Sequence, residues 1–153
     1  MNHRHSLAYM ALCVLWASCA HSEPGVPSIG PEIKSVDGNV YIDLHYCDEE
    51  PSAPQVLQMK VYAVDLRGEP TSLMCALVAD KGAKPLATSW GYGAYMAGFS
   101  VENCRDLMPG GAYMVTVLGS GAGSQRFRLD LQRRVQALPP ATNCGSARSS
   151  APK

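Results

Sequence analysis

The 153-residue sequence predicts an exported all-β domain: a two-sheet antiparallel β-sandwich of about seven strands, with a small β-barrel as the alternative. Three observations lead there. Residues 1–19 have the form of an export signal. No later segment sustains a helical period. Apolar residues recur instead at every second position, in short runs broken by glycine and proline turns.

In the signal, His3, Arg4 and His5 precede an apolar run from Leu7 to Trp16, and small residues then lead to a cysteine. The run is too short to span a bilayer comfortably and lacks a stop-transfer flank. Leu15-Trp16-Ala17-Ser18-Cys19 resembles a bacterial lipobox, although Trp16 stands where leucine is usual. That resemblance implies lipidation of Cys19 and, with Ala20 rather than aspartate following, an outer-membrane lipoprotein facing the periplasm. Ser18-Cys19-Ala20 also offers the small residues of an ordinary signal-peptidase site, which would leave a periplasmic or secreted protein. Residues 20–31 then read as a flexible linker, 32–133 as the sandwich domain, and 134–153 as a polar Pro/Ser-rich tail.

Thirteen basic and thirteen acidic residues balance, and loss of Arg4 with the signal leaves a net charge of about −1. A nucleic-acid binder needs a basic surface to release counterions, so that class is excluded. Electrostatic docking to anionic lipid is disfavoured on the same ground. Cys47, Cys75, Cys104 and Cys144 survive processing, an even number suited to two disulfides in an oxidising compartment. No CxxC occurs, and His45 is the single histidine inside the folded region, so no metal and no cofactor is expected. Three connectivities are open. Cys47 and Cys104 both fall near strand ends, which favours Cys47–Cys104 with Cys75–Cys144, the second bond pinning the tail to the body.

The strands follow in order. Asp37-Gly38 is a hairpin turn. After it Val40, Ile42, Leu44 and Tyr46 share one face, with Tyr41, Asp43 and His45 on the other. The loop from Asp48 to Pro54 breaks the run. Leu57, Met59, Val61 and Ala63 then alternate with Gln58, Lys60 and Tyr62. Arg67-Gly68-Glu69-Pro70 forms the next turn, and Leu73, Cys75 and Leu77 line the strand beyond it. Lys81 to Asn103 accommodates one or two short strands. Tyr113, Val115 and Val117 alternate clearly, and a glycine turn from Gly119 to Gly123 leads into Phe127, Leu129 and Leu131. The opposite face of that last strand is charged, as on the solvated side of an antiparallel sheet.

Leu107-Met108-Pro109-Gly110-Gly111-Ala112-Tyr113-Met114-Val115-Thr116-Val117 resembles the E–F corner and F strand of fibronectin type III domains. The resemblance implies an immunoglobulin-like sandwich. It makes Leu107 and Tyr113 structural, Pro109 and Gly110 the turn, and Tyr113 a corner residue whose hydroxyl bonds nearby backbone. The tryptophan expected on strand B is missing, with Tyr46 the nearest bulky residue, and the four cysteines also depart from the family.

Chemistry-bearing patterns are sparse. His45 and Asp43 share a strand face, but nothing resembles Gly-x-Ser-x-Gly, so a small hydrolase using His45 is the weakest of three readings. Asp48-Glu49-Glu50 lacks the spacing of a calcium loop and reads as a solvated loop or a contact surface. Trp90, Tyr92 and Tyr95, spaced by small residues, are either core or a contact loop, since aromatics supply large area at low entropic cost. The B–C loop from Asp48 to Gln55 and the F–G loop from Gly119 to Gly123 are expected at one end of the sandwich. Arg126, Arg128, Arg133 and Arg134 form the single basic cluster, a solvated face or a site for an acidic partner or headgroup. The leading expectation is a non-enzymatic cell-envelope protein that binds another envelope or periplasmic protein, held to the membrane if Cys19 is lipidated. The runner-up is a periplasmic inhibitor or immunity protein that blocks an enzyme.

Overall fold

The structure, a computed structural model, describes residues 27–47 and 52–139. Nine strands and no helix occur there: β1 (Ile29–Val36), β2 (Asn39–Tyr46), β3 (Val56–Val64), β4 (Pro70–Ala79), β5 (Ser89–Gly91), β6 (Phe99–Glu102), β7 (Ala112–Gly119), β8 (Ala122–Leu129) and β9 (Val135–Ala137). One sheet runs β1-β2-β5 and the other β6-β4-β3-β7-β8-β9. All strand pairs are antiparallel. This is an immunoglobulin-like β-sandwich, with β1, β2 and β5 in the A, B and E positions and β3, β7 and β8 in C, F and G. The count exceeds seven because two short strands, β6 and β9, extend the edges of the larger sheet.

Local sequence explains the hairpins. Asp37 and Gly38 take φ of 50° and 77°, the paired positive values of a type I′ turn, and the register Val36↔Asn39 follows from it. That register turns Val40, Ile42 and Leu44 inward, as the alternation predicts. Strand β3 turns Met59 and Val61 inward as the alternation predicts but departs from it at its start. A bulge between Val56 and Gln58 against β7 shifts the phase, so Val56 is buried and Leu57 is 43% exposed. A second irregularity in the β3–β4 ladder lies between Val61 and Tyr62. Tyr113, Val115, Val117, Phe127 and Leu129 are buried, but β8 ends at Leu129 and leaves Leu131 78% exposed.

The domain extends at both ends beyond the expected limits. Ile29 pairs with Tyr46 and is buried, so β1 begins inside the presumed linker. Strand β9 lies within the expected tail, paired with Phe127 to Leu129. The start of β1 also closes one side of the sandwich, through a parallel bridge between Ser28 and Ala122. Glycine permits this approach. A Cβ at Gly121 or Gly123 would collide with the carbonyl oxygens of Pro27 and Ile29 respectively.

The disulfide expectation is corrected. Cys75 bonds Cys104, not Cys144. Strand β6 pairs with β4 through Ala76↔Glu102, and the Arg105 N–H donates to the Met74 carbonyl at 2.9 Å, which brings the two Cα atoms within 4.1 Å. Cys47 is also disulfide-bonded, and its partner lies outside the described residues. The core gathers residues from both sheets: Trp90, Ile42 and Ile29 from one, Phe127, Met59, Leu77 and Val115 from the other. The strands leave two distinct ends. Pro27, Gln55 and Ser120 mark the end where the chain enters. The Asp37-Gly38 turn, the β3–β4 turn, the Leu107–Gly111 corner and the Asp130–Arg134 turn mark the other.

Candidate interaction surface

The segment from Trp90 to Cys104 crosses between the sheets on the side opposite β1. Its anchor is Trp90, 1% exposed, because β5 pairs with Tyr41 to Asp43 and turns the indole into the core. The Trp90 Nε1–H donates to the Ala94 carbonyl at 2.8 Å, so the one polar atom of the ring is satisfied while the loop folds back over it. Tyr92 packs on Trp90 with ring centroids 5.9 Å apart, and its hydroxyl donates to the Arg105 carbonyl at 2.7 Å. Burial pushes the Tyr92 phenol up to about 12; Tyr113 and Asp106 add to the shift and Arg105 opposes it. The far end of the crossing is closed by the Phe99 N–H to Met96 carbonyl bond and by the Cys75–Cys104 disulfide. Tyr95 stands between these restraints, 83% exposed. Beside the loop lies a cavity of about 340 Å³ lined in part by Tyr41, Tyr92, Asp106 and Arg133.

The aromatic candidates therefore divide. Trp90 is removed from the surface, Tyr92 is half-buried and hydrogen-bonded, and Tyr95 alone is presented. Asp48, Glu49, Glu50, Cys19 and Cys144 lie outside the described residues. At the corner, the Tyr113 hydroxyl accepts from the Met108 N–H at 2.7 Å and donates to the Met108 carbonyl at 3.2 Å. Its ring packs on Phe127 at 5.5 Å, Leu107 is buried, and Gly110 following Pro109 takes φ of 81°. The corner residues hold the fold, and none offers a reactive group.

The expected F–G loop is a tight turn of two residues between β7 and β8. Ser120 donates its N–H to the Gln55 carbonyl at 2.9 Å, accepts the Gln55 N–H at its Oγ at 3.1 Å, and hydrogen-bonds the Tyr46 hydroxyl. The two loops do meet at one end, since Gln55 closes the B–C connection. On the outer face of β2, Asp43 is ion-paired with Lys34 and accepts from the Ser89 hydroxyl at 2.6 Å. Burial alone would raise this carboxyl, but Lys34 and Ser89 outweigh it and hold it below the usual range. Serine thus bonds the carboxylate directly, and the exposed His45 does not stand between them as a nucleophile relay requires. No group of three metal-ligating side chains occurs among the described residues.

The basic cluster is broken up. Arg134 pairs with Asp130 at 2.7 Å. Arg133, at φ of 62°, donates to the carbonyls of Gly38 and Leu107 at 3.1 Å each and ties the β1–β2 turn to the corner. Arg126 and Arg128 remain together on β8, joined by an arginine the sequence reading placed merely in a turn, Arg67. The β3–β7 and β7–β8 pairings bring that turn towards β8, so no local signal marks it. No family model, no curated protein and no solved structure matches this chain.

Proposed function

We propose that this is a non-enzymatic, exported envelope protein, tethered through Cys19, whose sandwich holds the Tyr95 crossing as a contact surface for another protein. The observation that carries this reading is the contrast within one short segment: Tyr95 is almost fully exposed, while Trp90 and Phe99 on either side of it are buried, Tyr92 is hydrogen-bonded and Cys104 is disulfide-linked. A large aromatic on a braced loop loses little entropy on binding, which is what makes tyrosine effective at interfaces. The Ser89–Asp43 contact, which bypasses His45, supports the non-enzymatic part of the reading. The Tyr113–Met108 bonds support a relationship to fibronectin type III domains, which mostly bind or space rather than catalyse.

The same braced loop favours a second reading, a periplasmic inhibitor that inserts Tyr95 into an enzyme cleft. One experiment separates them. The tagged chain and its Tyr95→Ala variant are purified from detergent-solubilised envelopes, and co-purifying proteins are identified by mass spectrometry. The first reading expects a stoichiometric envelope protein that the variant loses. A soluble hydrolase lost in the same way establishes the inhibitor. Capture that Tyr95→Ala leaves intact removes the loop from both. Cys19→Ser, expected to release the chain from the membrane fraction, tests the tether separately.

A further inference from the structure

The residue types at the corner end assemble an unneutralised basic cavity. It has a volume of about 510 Å³ and lies between the β3–β4 turn, the Gly110-Gly111 corner and β8. Arg67 approaches from the turn, and Arg126 and Arg128 come from the strand. Asp65 also borders the cavity, but its Oδ1 accepts the backbone N–H groups of Arg67 and Glu69 at 2.8 and 2.9 Å, which turns that carboxylate into its own turn. Among the described residues none of the three arginines forms an ion pair, with Glu69 or any other acid, since both ion pairs lie elsewhere.

Arg126 is the informative member. A Cβ at Gly68 would overlap its Nη1, so the guanidinium lies directly against the turn backbone, where the glycine takes φ of 83°. Its Nε is buried with no hydrogen-bond partner, and its Nη2 reaches the Pro139 carbonyl only at 3.5 Å, the outer limit of a hydrogen bond. A buried donor on a charged group left without an acceptor is costly, and the positive charge of that guanidinium, where Arg126 lines the cavity, is what an oxyanion there would offset. Planar guanidinium groups match carboxylates in a bidentate manner. The rim adds an apolar component, with Leu66 fully exposed at 104% and Leu138 beside it.

We propose that this cavity binds an acidic peptide segment of a partner protein, with its carboxylates on Arg67, Arg126 and Arg128 and an adjacent apolar side chain against Leu66. The combination of three guanidinium groups with a protruding leucine favours a peptide over a phosphate group alone. Position favours it over a bilayer. The chain enters the fold at Pro27, at the opposite end of strands about 25 Å long. The proposal deepens the envelope-binding reading and rests on it for the identity of the partner, but the cavity is tested on the purified chain alone. Failure here therefore leaves the Tyr95 capture result standing, and the reverse holds too.

The test is a fluorescence titration of the signal-free chain with a labelled peptide rich in Glu and Leu, repeated with Arg67→Glu and Arg128→Glu. Arg67 lies in an exposed turn and Arg128 on an exposed strand face, so both variants retain the melting temperature. Saturable binding that weakens with salt and falls about tenfold or more in each variant is expected. No saturable binding, or equal affinity in the variants, overturns the proposal. Inorganic phosphate competing at similar concentration, or phosphatidylglycerol vesicles binding as tightly as the peptide, reassigns the cavity to phosphate headgroups and overturns the peptide.

Discussion

The β7–β8 hairpin with its corner and the crossing from Trp90 to Cys104 solve the same problem by opposite means. The hairpin carries a full set of contacts near in sequence, beside the distant β3–β7 ladder and the Ser120–Gln55 bonds. Tyr113 bonds Met108 five residues back, Val115 and Val117 alternate inward, and Tyr113 pairs with Phe127 across a two-residue turn. The crossing has only two short strands of three and four residues and is held by distant partners. Trp90 inserts beneath β2, Cys104 bonds Cys75, and the Tyr92 hydroxyl reaches Arg105. Local bonding lets a region keep its shape when one distant partner is lost. Remote bonding makes a region that opens as a unit when one anchor is lost, and a contact surface placed there inherits that dependence.

The strongest challenge to this contrast is Trp90→Ala. Loss of the largest fully buried side chain costs about 3–5 kcal/mol by urea unfolding, and orphans the Ala94 carbonyl as well. Hydrogen exchange is expected to accelerate first between residues 89 and 102 and least in β7 and β8. Uniform loss of protection across both regions breaks the comparison. The paired Cys75→Ser, Cys104→Ser variant comes next. The bond closes a loop of 29 residues containing β5, Tyr95 and β6, and its removal costs about 3–4 kcal/mol on the chain-entropy account. Limited proteolysis beside Tyr95 in that variant, with β7–β8 intact, is the expected readout.

The same contrast explains what the sequence discloses. The sandwich class, the Asp37-Gly38 turn, the faces of β2, β7 and β8 and the Tyr113 corner all rest on alternation or on motifs a few residues long. The disulfide pairing rests on β4 meeting β6, which no local pattern records, and so Cys75–Cys104 was not the favoured solution. Bulges hide in the same way. The inward turn of Val56 in place of Leu57 comes from one extra residue against β7, a tertiary event. The glycines from Gly119 to Gly123 read as a turn, but the close approach of Pro27 and Ile29 that requires them is set by the position of β1. Arg67 and Trp90 follow the same rule, their roles being set by neighbours far away in the chain.

A smaller effect tests the hairpin side. Tyr113→Phe keeps the ring on Phe127 but removes both bonds to Met108. Met108 is exposed, so water compensates its backbone in part, and a loss of about 1–2 kcal/mol in urea unfolding is expected. The corner should loosen without affecting exchange in the crossing. A cost near that of Trp90→Ala means the hairpin depends on its single corner as heavily as the crossing depends on its anchor, and the distinction collapses.

The smallest effect at neutral pH becomes distinctive in alkali. Tyr92 ionises in the unfolded chain near its ordinary value of 10 but in the folded chain only near 12. The folded state therefore holds the proton more tightly. Its contribution to stability is complete below pH 10 and is lost as the pH rises through 12. Geometry requires the same sign. The neutral hydroxyl donates to the Arg105 carbonyl at 2.7 Å, whereas a phenolate would have no proton to give and would face that oxygen as a second acceptor. Tyr92→Phe should cost about 1 kcal/mol at pH 7 through the missing hydrogen bond. Above pH 10 the wild-type chain loses stability faster than the variant, and their unfolding curves converge. The difference between the two chains, rather than either curve, isolates Tyr92. Curves that stay parallel through this range would mean that Tyr92 is as solvated as a surface tyrosine, and the crossing would lose one of its three remote restraints.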